Sequence, residues 1–288
     1  NRVVGVTGSK GKSTTASLIA HLLKTGGKRV QLLGNIGSPM LSALLKPAQK
    51  GEIFVLELSS YQLDDLSYSP DIVVVTNLFP EHMTYHGDVK KYYEAKKNIL
   101  RFQGEKDLFV YNDKNKLLQG WVKEVKAEAL PFMKKLPFAD ADIPLLGEHN
   151  RDNVRAAVTV AKRLGISDAA IKKGIRSFKA LPHRLELVGT FKGVTFYDDA
   201  ISTTPDSTIM ALKALKGVDT ILLGGEDRGY NFKELEKTLR KMKVSNLVLF
   251  PDTGRRMLKS KKGFTILETR SMKEALRFAY AKTKPGKI

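Results

Sequence analysis

Apolar residues along this chain occur in two kinds of run, short β-branched stretches and longer stretches with helical spacing. Residues 3–6 (VVGV) predict a buried strand, and the apolar residues from 16 to 23 recur at the spacing of a helix. Further strands are predicted at residues 29–33, 53–58, 71–77 and 108–111, and further helices at 89–101, 150–164 and 168–178. This alternation is typical of a parallel sheet covered by helices.

The helical pattern breaks at Pro182, within ALPHRLELV, and a second alternation follows. It predicts strands at residues 191–197, 220–223 and 246–250 and helices at 206–215, 232–242 and 271–282. We therefore place a domain boundary near Leu181 and expect two domains, residues 1–181 and 182–288. Asn1 directly precedes the first strand and KTKPGKI stops at a turn, so we expect the chain to be part of a longer protein.

The bend between the first strand and the first helix is VTGSKGKST. Gly11, Lys12 and Ser13 match the end of the P-loop pattern, whereas the first glycine of that pattern would fall at Val6 and the glycine here is Gly8. An ordinary glycine turn is the alternative. Because Gly-Lys-Ser opens a helix directly after a strand, where amides, dipole and lysine favour an anion, the bend predicts a nucleotide triphosphate site.

Composition narrows the class of protein. The chain is 42% hydrophobic and 27% charged, with no apolar run of membrane-spanning length and no secretory signal, as expected of a globular protein without membrane insertion. It contains no cysteine, which excludes disulfides and thiolate metal sites and fits a cytoplasmic location.

The formal net charge is +19 at pH 7. Lysine pairs are scattered along the chain rather than gathered in one arm: Lys90-Lys91, Lys134-Lys135, Lys172-Lys173 and Lys261-Lys262. We interpret most of this charge as solvated surface, with a smaller share that steers anionic substrates. Nucleic-acid binding stays the weaker alternative, because such proteins concentrate charge on one face with aromatic residues between.

Polar residues with metal-binding chemistry follow two predicted strands. Glu57, in FVLELSSYQL, ends a buried strand at the edge where ligands of α/β sheets bind, and its carboxylate suits magnesium. Ser59 and Ser60 after it suit a helix start instead, and both interpretations can hold together. In VVVTNLFPEHMTYHG, Glu81 and His82 occupy the loop after the next strand, where a metal or phosphate role and a plain surface role are equally supported.

Two other stretches carry little information by themselves. YYEAKKNIL is by composition an ordinary amphipathic helix with solvated lysines. In LLGEHNRDN, His149 and Asn150 stand at a helix start, where capping is the default explanation.

Taken together, these stretches resemble the Mur ligases, ATP-dependent enzymes that add amino acids to the peptidoglycan precursor. The matching motifs cover nearly the whole chain in family order: TGSKGKST, GNIG, LELSSYQL, TNLFPEH, YYEAKKNI, GEHNRDN, LPHR and GGEDRGYNF. The resemblance implies a P-loop-type parallel-sheet ATPase domain at residues 1–181, the family's central domain. It implies a smaller, Rossmann-like, amino-acid-binding domain at 182–288 that is truncated, and the family's N-terminal uridine-nucleotide domain lies outside the chain.

The resemblance also implies roles for individual residues. ATP-binding residues would be Gly8, Ser9, Lys10, Gly11, Lys12, Ser13, Thr14, Asn150, Asn153, Arg184 and Asp199. Magnesium ligands would be Ser13, Glu57, His82 and, if it is carbamylated, Lys96. Substrate-binding residues would be Asn35, Ser59, Thr203 and Arg228. Catalytic residues would be Lys12, Lys96, His183 and Asp199.

The implied activity needs ATP and Mg²⁺ and adds glutamate, D-glutamate by family default, to UDP-N-acetylmuramoyl-L-alanine through an acyl-phosphate. ELSSYQL and LPHR are the motifs most similar to the glutamate-adding member. The expected partners are these small molecules, and the expected state is a monomer. Two departures stand out: Ile201 replaces a lysine common in the family, and Glu81 replaces the usual aspartate before the histidine.

Three alternatives stay open. Another ligase of the superfamily, L-glutamate-adding or similar to folylpolyglutamate synthase, would usually differ around LPHR and after the first strand. A P-loop ATPase stimulated by nucleic acid would account for the positive charge. A non-catalytic nucleotide-binding scaffold is disfavoured because Glu57, His82 and Lys96 are all present.

Overall fold

A computed structural model describes residues 1–45, 47–81 and 83–288, apart from the side chains of Leu44, Met83 and Thr84. The chain forms two compact units, Asn1–Lys179 and Ala180–Ile288. Parallel sheets with intervening helices make up most of both units, which confirms the predicted α/β class.

The first unit alternates strands and helices. In chain order its elements are β1 (Arg2–Thr7), α1 (Lys12–Thr25), β2 (Val30–Gly34), β3 (Ile53–Glu57), α2 (Ser60–Leu63), β4 (Ile72–Val75), α3 (Met83–His86), α4 (Val89–Lys97), β5 (Leu108–Tyr111), α5 (Lys116–Val122), β6 (Glu128–Pro131), α6 (Glu148–Arg163) and α7 (Asp168–Ser177). The strands form one six-stranded sheet in the order β2-β3-β1-β4-β5-β6. All of its pairings are parallel.

The centre of this sheet explains where polar side chains meet. All four residues of β4 are buried, as expected of an apolar strand with helices on both faces of the sheet. β1 lies between β3 and β4, with Val6 opposite Glu57 and Thr7 opposite Val75. Because the three strands are parallel, the loops that follow them emerge side by side at one edge.

The second unit contains two small sheets. Its elements are β7 (Glu186–Phe191), β8 (Val194–Asp198), α8 (Pro205–Ala214), β9 (Thr220–Gly225), α9 (Lys233–Lys241), β10 (Asn246–Asp252), β11 (Thr265–Glu268) and α10 (Met272–Lys282). β7 and β8 form an antiparallel hairpin, and β9, β10 and β11 form a parallel sheet in the order β11-β10-β9. Residues 287 and 288 link the two sheets: the amide of Thr195 donates to the carbonyl of Lys287 (3.0 Å), and that of Thr220 to the carbonyl of Ile288 (3.1 Å).

The structure corrects several predicted elements. The single strand predicted at 191–197 is a hairpin, because Lys192 (φ 51°) and Gly193 (φ 81°) make a tight turn between β7 and β8. Two short strands, β6 and β11, and the short helix α5 had no counterpart among the predictions. β6 and β11 are four-residue edge strands that are only partly buried, so they lack the continuous apolar run that marks a central strand.

Candidate active site

The bend after β1 has the backbone geometry of an anion-binding loop. Gly8 (φ 142°) and Gly11 (φ 84°) both have positive φ angles, and Gly11 is the N-cap residue of α1. A Cβ at Gly11 would overlap the amide oxygen of Asn153, so glycine is required there for space as well as for conformation. No side chain caps α1 among the described residues, which leaves its first amides directed at the loop.

Hydrogen bonds fix this loop to the end of β4. The amide of Lys10 donates to Oδ1 of Asn77 (2.9 Å), and the hydroxyl of Thr76 donates to the carbonyl of Lys10 (2.6 Å). The amide of Ser9 donates to the carbonyl of Asn77 (2.8 Å). These bonds hold the backbone of the loop in one conformation, and a loop that is held in this way loses less entropy when a ligand binds.

Lysine side chains give the loop its charge. Lys12 Nζ lies 2.9 Å from the carbonyl oxygen of Ser9, to which it donates a hydrogen bond. Lys10 forms an ion pair with Glu81 (2.6 Å). Glu81 therefore faces the bend at residues 8–11, which we call the phosphate loop after its predicted role. His82, the predicted magnesium ligand next to it, lies outside the described residues.

Glu57 meets the requirement of a buried metal ligand. It ends β3 and is 3% exposed, and its Oε2 has no hydrogen-bond partner among the described residues. An unpaired buried carboxylate oxygen is costly unless a cation compensates it, which fits magnesium. Ser59 caps α2 through a capping box with Gln62. The backbone N–H of Asn35 donates a hydrogen bond to the carbonyl of Glu57 (3.2 Å). Two of the four predicted substrate-binding residues, Asn35 and Ser59, thus flank Glu57 in space or in sequence.

Lys96 is the least expected feature of the site. It is 1% exposed, and its Nζ lies 4.9 Å from the centre of the Tyr92 ring. Burial, followed by the nearby charge of Lys12, lowers the pKa of Lys96 to about 7, although Glu81 and Glu57 act in the opposite direction. The side chain that composition assigned to a solvated surface is therefore a buried amine that faces the other candidate residues.

Asn150 and Asn153 lie beneath the loop. Asn153 Oδ1 accepts from the hydroxyl of Thr15 (3.2 Å), its Nδ2 donates to Asn150 Oδ1 (2.9 Å), and Asn150 Nδ2 donates to the carbonyl of Leu146 (2.7 Å). Gly147, not His149 or Asn150, is the N-cap residue of α6, so the capping interpretation is wrong. The asparagines support the start of α1, and their predicted contact with adenine stays a prediction.

In the second unit, His183 belongs to a tight cluster with two carboxylates. Its Nδ1 lies 2.7 Å from Oδ2 of Asp198, and its amide donates to Oε2 of Glu186 (2.9 Å). The hydrogen bond with Asp198 raises the pKa of His183, and the same bond lowers the pKa of Asp198. These three residues form the one group of metal-ligating side chains found within 4.8 Å of one another in the described part of the chain.

Asp199 and the segment after it are also placed by hydrogen bonds. Its Oδ1 accepts from the amide of Leu185 (3.0 Å), and its Oδ2 accepts from the hydroxyl of Ser202 (2.5 Å). Thr203 is exposed. Thr204 is the N-cap residue of α8, and its hydroxyl is hydrogen-bonded to Ser207. Ile201 is 46% exposed and offers no polar atom on its side chain.

Arg228 lies in the loop after β9. Its side chain is 53% exposed and contacts Glu226 at 3.4 Å, a loose ion pair. A recess next to this loop is lined in part by cationic and aromatic side chains, namely Tyr230, Lys233, Arg256 and Lys259. Glu236 also lines this recess and Arg256 is ion-paired with Asp227, so Lys233 and Lys259 are the cations that the recess adds even though Ile201 supplies none. Arg184, the last residue of the LPHR motif, donates its backbone N–H to the carbonyl of Leu181 (3.2 Å).

Comparisons with known proteins agree with this geometry. The family model described as Mur ligase middle domain matches residues 6–140. A UDP-N-acetylmuramoylalanine–D-glutamate ligase of Streptococcus equi subsp. zooepidemicus is 36% identical, over 99% of this chain and 68% of its own length. The chain belongs to the Mur ligase family. Members of this family are ATP-dependent ligases that form amide bonds.

Other relatives of this Mur ligase differ in the amino acid that their names specify. A UDP-N-acetylmuramoyl-L-alanine–L-glutamate ligase of Xanthomonas euvesicatoria pv. vesicatoria is 35% identical, and the match covers 88% of this chain and 58% of that protein. Among solved structures, a MurF ligase from Thermotoga maritima in complex with ADP has a TM-score of 0.76 at 20% identity, over 100% of this chain and 75% of that one. That likeness shows the shared fold. No helix in the described part of the chain is long and apolar enough to cross a membrane.

Sequence reasoning missed two contributors to the site. Tyr92 lies beneath Lys96, and its hydroxyl is hydrogen-bonded to Ser9 of the phosphate loop (2.9 Å). Thr76 holds the carbonyl of Lys10. Tyr92 lies four residues before Lys96, a spacing that places both on one face of a helix. This spacing points to Tyr92 only after Lys96 has been identified as a site residue.

Lys12→Ala should weaken the binding of ADP in the presence of magnesium by about ten- to a hundredfold, because the variant loses a charge-assisted contact to phosphate. Isothermal titration calorimetry measures the affinity, and fluorescence of Trp121, the one tryptophan of the chain, checks that the first unit stays folded. Lys24→Ala, in the last turn of the same helix, is the control. An unchanged affinity of Lys12→Ala would contradict the phosphate site.

The lowered pKa of Lys96 makes stability depend on pH. Between about 7 and the ordinary value of 10.5, the folded chain holds this amine neutral while the unfolded chain keeps it protonated. Unfolding then takes up a proton, so the free energy of unfolding rises with pH by at most about 1.4 kcal/mol per pH unit. Urea denaturation in carbon-dioxide-free buffer should show this rise in wild type relative to Lys96→Met. A difference between the two proteins that stays flat across this range would show that Lys96 is protonated when folded.

Proposed function

We propose that this Mur ligase adds glutamate to UDP-N-acetylmuramoyl-L-alanine in the cytoplasm, using ATP and passing through an acyl-phosphate. The observation that carries the proposal is the placement of a buried Lys96 within electrostatic reach of Lys12, Glu57 and Glu81. A buried amine beside a phosphate loop and an unpaired carboxylate is costly in a purely structural helix, and it suits a site that receives metal and phosphate. Relatives at 35–36% identity whose names specify glutamate support the choice of amino acid.

The residues of the first unit suit the phosphoryl-transfer half of the reaction. Lys12 and the amides at the start of α1 would hold the ATP phosphates, while Ser13, Glu57 and His82 would hold magnesium. Magnesium, when bound, supplies positive charge to the phosphate oxygens. Lys12 adds charge at the phosphates and the pinned loop fixes their orientation, so the substrate carboxylate can attack the terminal phosphorus in line.

Lys96 would act as a carbamate. Its neutral amine attacks the carbon of carbon dioxide, an N–C bond forms as one C–O π bond opens, and the nitrogen releases one proton, so that the neutral amine becomes a carbamate anion that could help to hold a second magnesium. The lowered pKa favours this step, because only the neutral amine is nucleophilic. The nearby charge of Lys12 then stabilises the anion that forms.

With isotope-labelled bicarbonate, the chain should therefore show one carbamate carbon signal by NMR, and Lys96→Met should lack it. Lys97→Met is the matched control, because Lys97 is the next residue of the same helix and its amine instead pairs with Glu124 on the surface (2.5 Å). Loss of the signal in Lys97→Met, or a signal that survives in Lys96→Met, would contradict the assignment.

The second unit would supply the groups for the incoming amino acid. Glutamate carries two carboxylates, and Arg228 can offer a bidentate fork to one of them. Thr203 can add a hydroxyl donor, and the cationic recess next to the Arg228 loop can compensate the lysine that Ile201 replaces. We assign Arg184, His183 and Asp199 to the binding of ATP and the acyl-phosphate. D-Glutamate is the family default, and the relative named for L-glutamate makes that enantiomer the second candidate.

Ligation by the full-length protein tests this assignment. With UDP-N-acetylmuramoyl-L-alanine, ATP and magnesium, we expect phosphate release to depend on glutamate and to favour one enantiomer. Arg228→Ala should raise the KM for glutamate about tenfold or more, since a charge-assisted contact is lost, while the KM for ATP stays within about twofold.

Arg277→Ala is the control for a change of surface charge, because Arg277 is exposed and lies on α10, outside the loop after β9. An equal KM for glutamate in Arg228→Ala and wild type would contradict the role of Arg228. A preference for a neutral or basic amino acid would contradict the glutamate assignment. Phosphate release driven by polynucleotide, without glutamate, would favour the nucleic-acid-stimulated ATPase instead.

A further inference from the structure

His86 is a buried titratable residue for which the proposed chemistry has no use. It is the last residue of α3 and is 6% exposed. Its Nε2 lies 3.0 Å from the hydroxyl of Ser60, the first residue of α2, which is 2% exposed. A polar pair at this depth joins the segment after β3 to the segment after β4.

Three tyrosine rings surround the imidazole. Tyr61 is stacked on it with ring centres 5.8 Å apart, Tyr85 meets it edge-on at 4.7 Å, and Tyr92 meets it edge-on at 5.4 Å. These rings come from α2, α3 and α4, so His86 is in contact with all three helices. Edge-on and offset-stacked arrangements are the ones that aromatic rings prefer, so the rings hold the imidazole in a defined orientation.

The same cluster reaches the phosphate loop. The hydroxyl of Tyr92 is hydrogen-bonded to the hydroxyl of Ser9 (2.9 Å), and Ser9 in turn holds the backbone of Phe79 in the loop after β4. At the other end, Ser60 follows Glu57 by three residues. The contacts Ser60–His86–Tyr92–Ser9 thus connect the exit of β3, with the buried carboxylate of Glu57, to the loop that would hold the nucleotide.

Packing of the aromatic cluster does not require a hydrogen bond between His86 and Ser60. A phenylalanine would fill the same aromatic cluster, and an alanine at position 60 would leave no hydroxyl in need of a partner. A hydrogen bond between two nearly fully buried side chains instead fixes one relative position of the segments that carry it.

We propose that His86 is a positioning residue that holds the exit of β3 in register with the phosphate loop, so that Glu57 and the loop bind magnesium and nucleotide as one unit. The inference rests on the nucleotide and magnesium site of the proposed function, but not on the identity of the amino acid. The quantity that tests the role of His86 is the gain in nucleotide affinity that magnesium produces. Loss of His86 should reduce this gain and leave metal-free affinity unchanged.

The test is calorimetric titration of the chain with ADP, once with magnesium and once with EDTA. His86→Phe and Ser60→Ala should each reduce the magnesium-dependent gain about three- to tenfold, the effect of one buried hydrogen bond. The double variant should lose no more than the larger single loss, because both changes remove the same bond. Ser60→Ala keeps the test decisive if His86→Phe fails to fold, as judged by Trp121 fluorescence.

The chain offers a control with the same two side-chain types in an exposed setting. His21 Nε2 and the hydroxyl of the exposed Ser177 are hydrogen-bonded at 2.9 Å, between α1 and α7, with Phe178 edge-on to the ring at 5.5 Å. His21→Phe and Ser177→Ala should leave the magnesium-dependent gain unchanged. Equal losses with and without magnesium, additive losses in the double variant, or a loss in the control pair would each overturn the inference. If wild type shows the gain but the full-length protein does not ligate glutamate, the proposed function fails and the role of His86 stands.

Discussion

A buried amine lies among the charged groups of the candidate site in the first unit. Lys96 has lost its hydration and lies near the charge of Lys12, while the carboxylates of Glu57 and Glu81 favour its protonation from the other side. The first two effects prevail and bring the pKa of Lys96 to about 7, at which the amine is poised between cation and nucleophile. A metal and phosphates added at this place would meet charges already arranged around it. Such preorganised charge is the usual source of rate enhancement in phosphoryl transfer.

The sheet topology is what brings these groups together. β1 lies between β3 and β4, so the residues after three parallel strands share one edge although they are far apart in sequence. Hydrogen bonds from Thr76 and Asn77 then hold the phosphate loop against the exit of β4. The positive φ of Gly11 opens α1 directly above Asn153, where any side chain would collide. Contacts from the end of β4 and from α6 thus hold the loop together.

Local pattern predicted the parts of the site that depend on local geometry. A strand, a glycine bend and a helix sufficed for Lys12, and the end of a buried strand sufficed for Glu57. Lys96 was reached only through the family resemblance, because its helix has the composition of a surface helix and its burial depends on segments distant in sequence. His86 carried no signal, and the spacing of Tyr92 from Lys96 had no meaning by itself, for the same reason: their contacts exist only after three helices pack. The strand predicted at 191–197 failed on a turn, since Lys-Gly is a weaker hairpin signal than Asn-Gly.

In the second unit, the conformation of the LPHR segment is held by acidic side chains. His183 (φ 60°) and Leu185 (φ 48°) both have left-handed backbone conformations, which are unfavourable for residues other than glycine. Glu186 and Asp198 bind the amide and ring of His183, and Asp199 binds the amide of Leu185. These carboxylates are therefore engaged in keeping a strained turn, which places the His183 ring at the surface with its Nδ1 already bonded. Strain that is sustained by several hydrogen bonds is a common property of functional loops, because the bonds fix the direction of one side chain. Because Ile201 has a hydrophobic side chain, the proposed recognition of an anionic amino acid would depend on cations of other segments, such as the exposed Arg228 in the loop after β9.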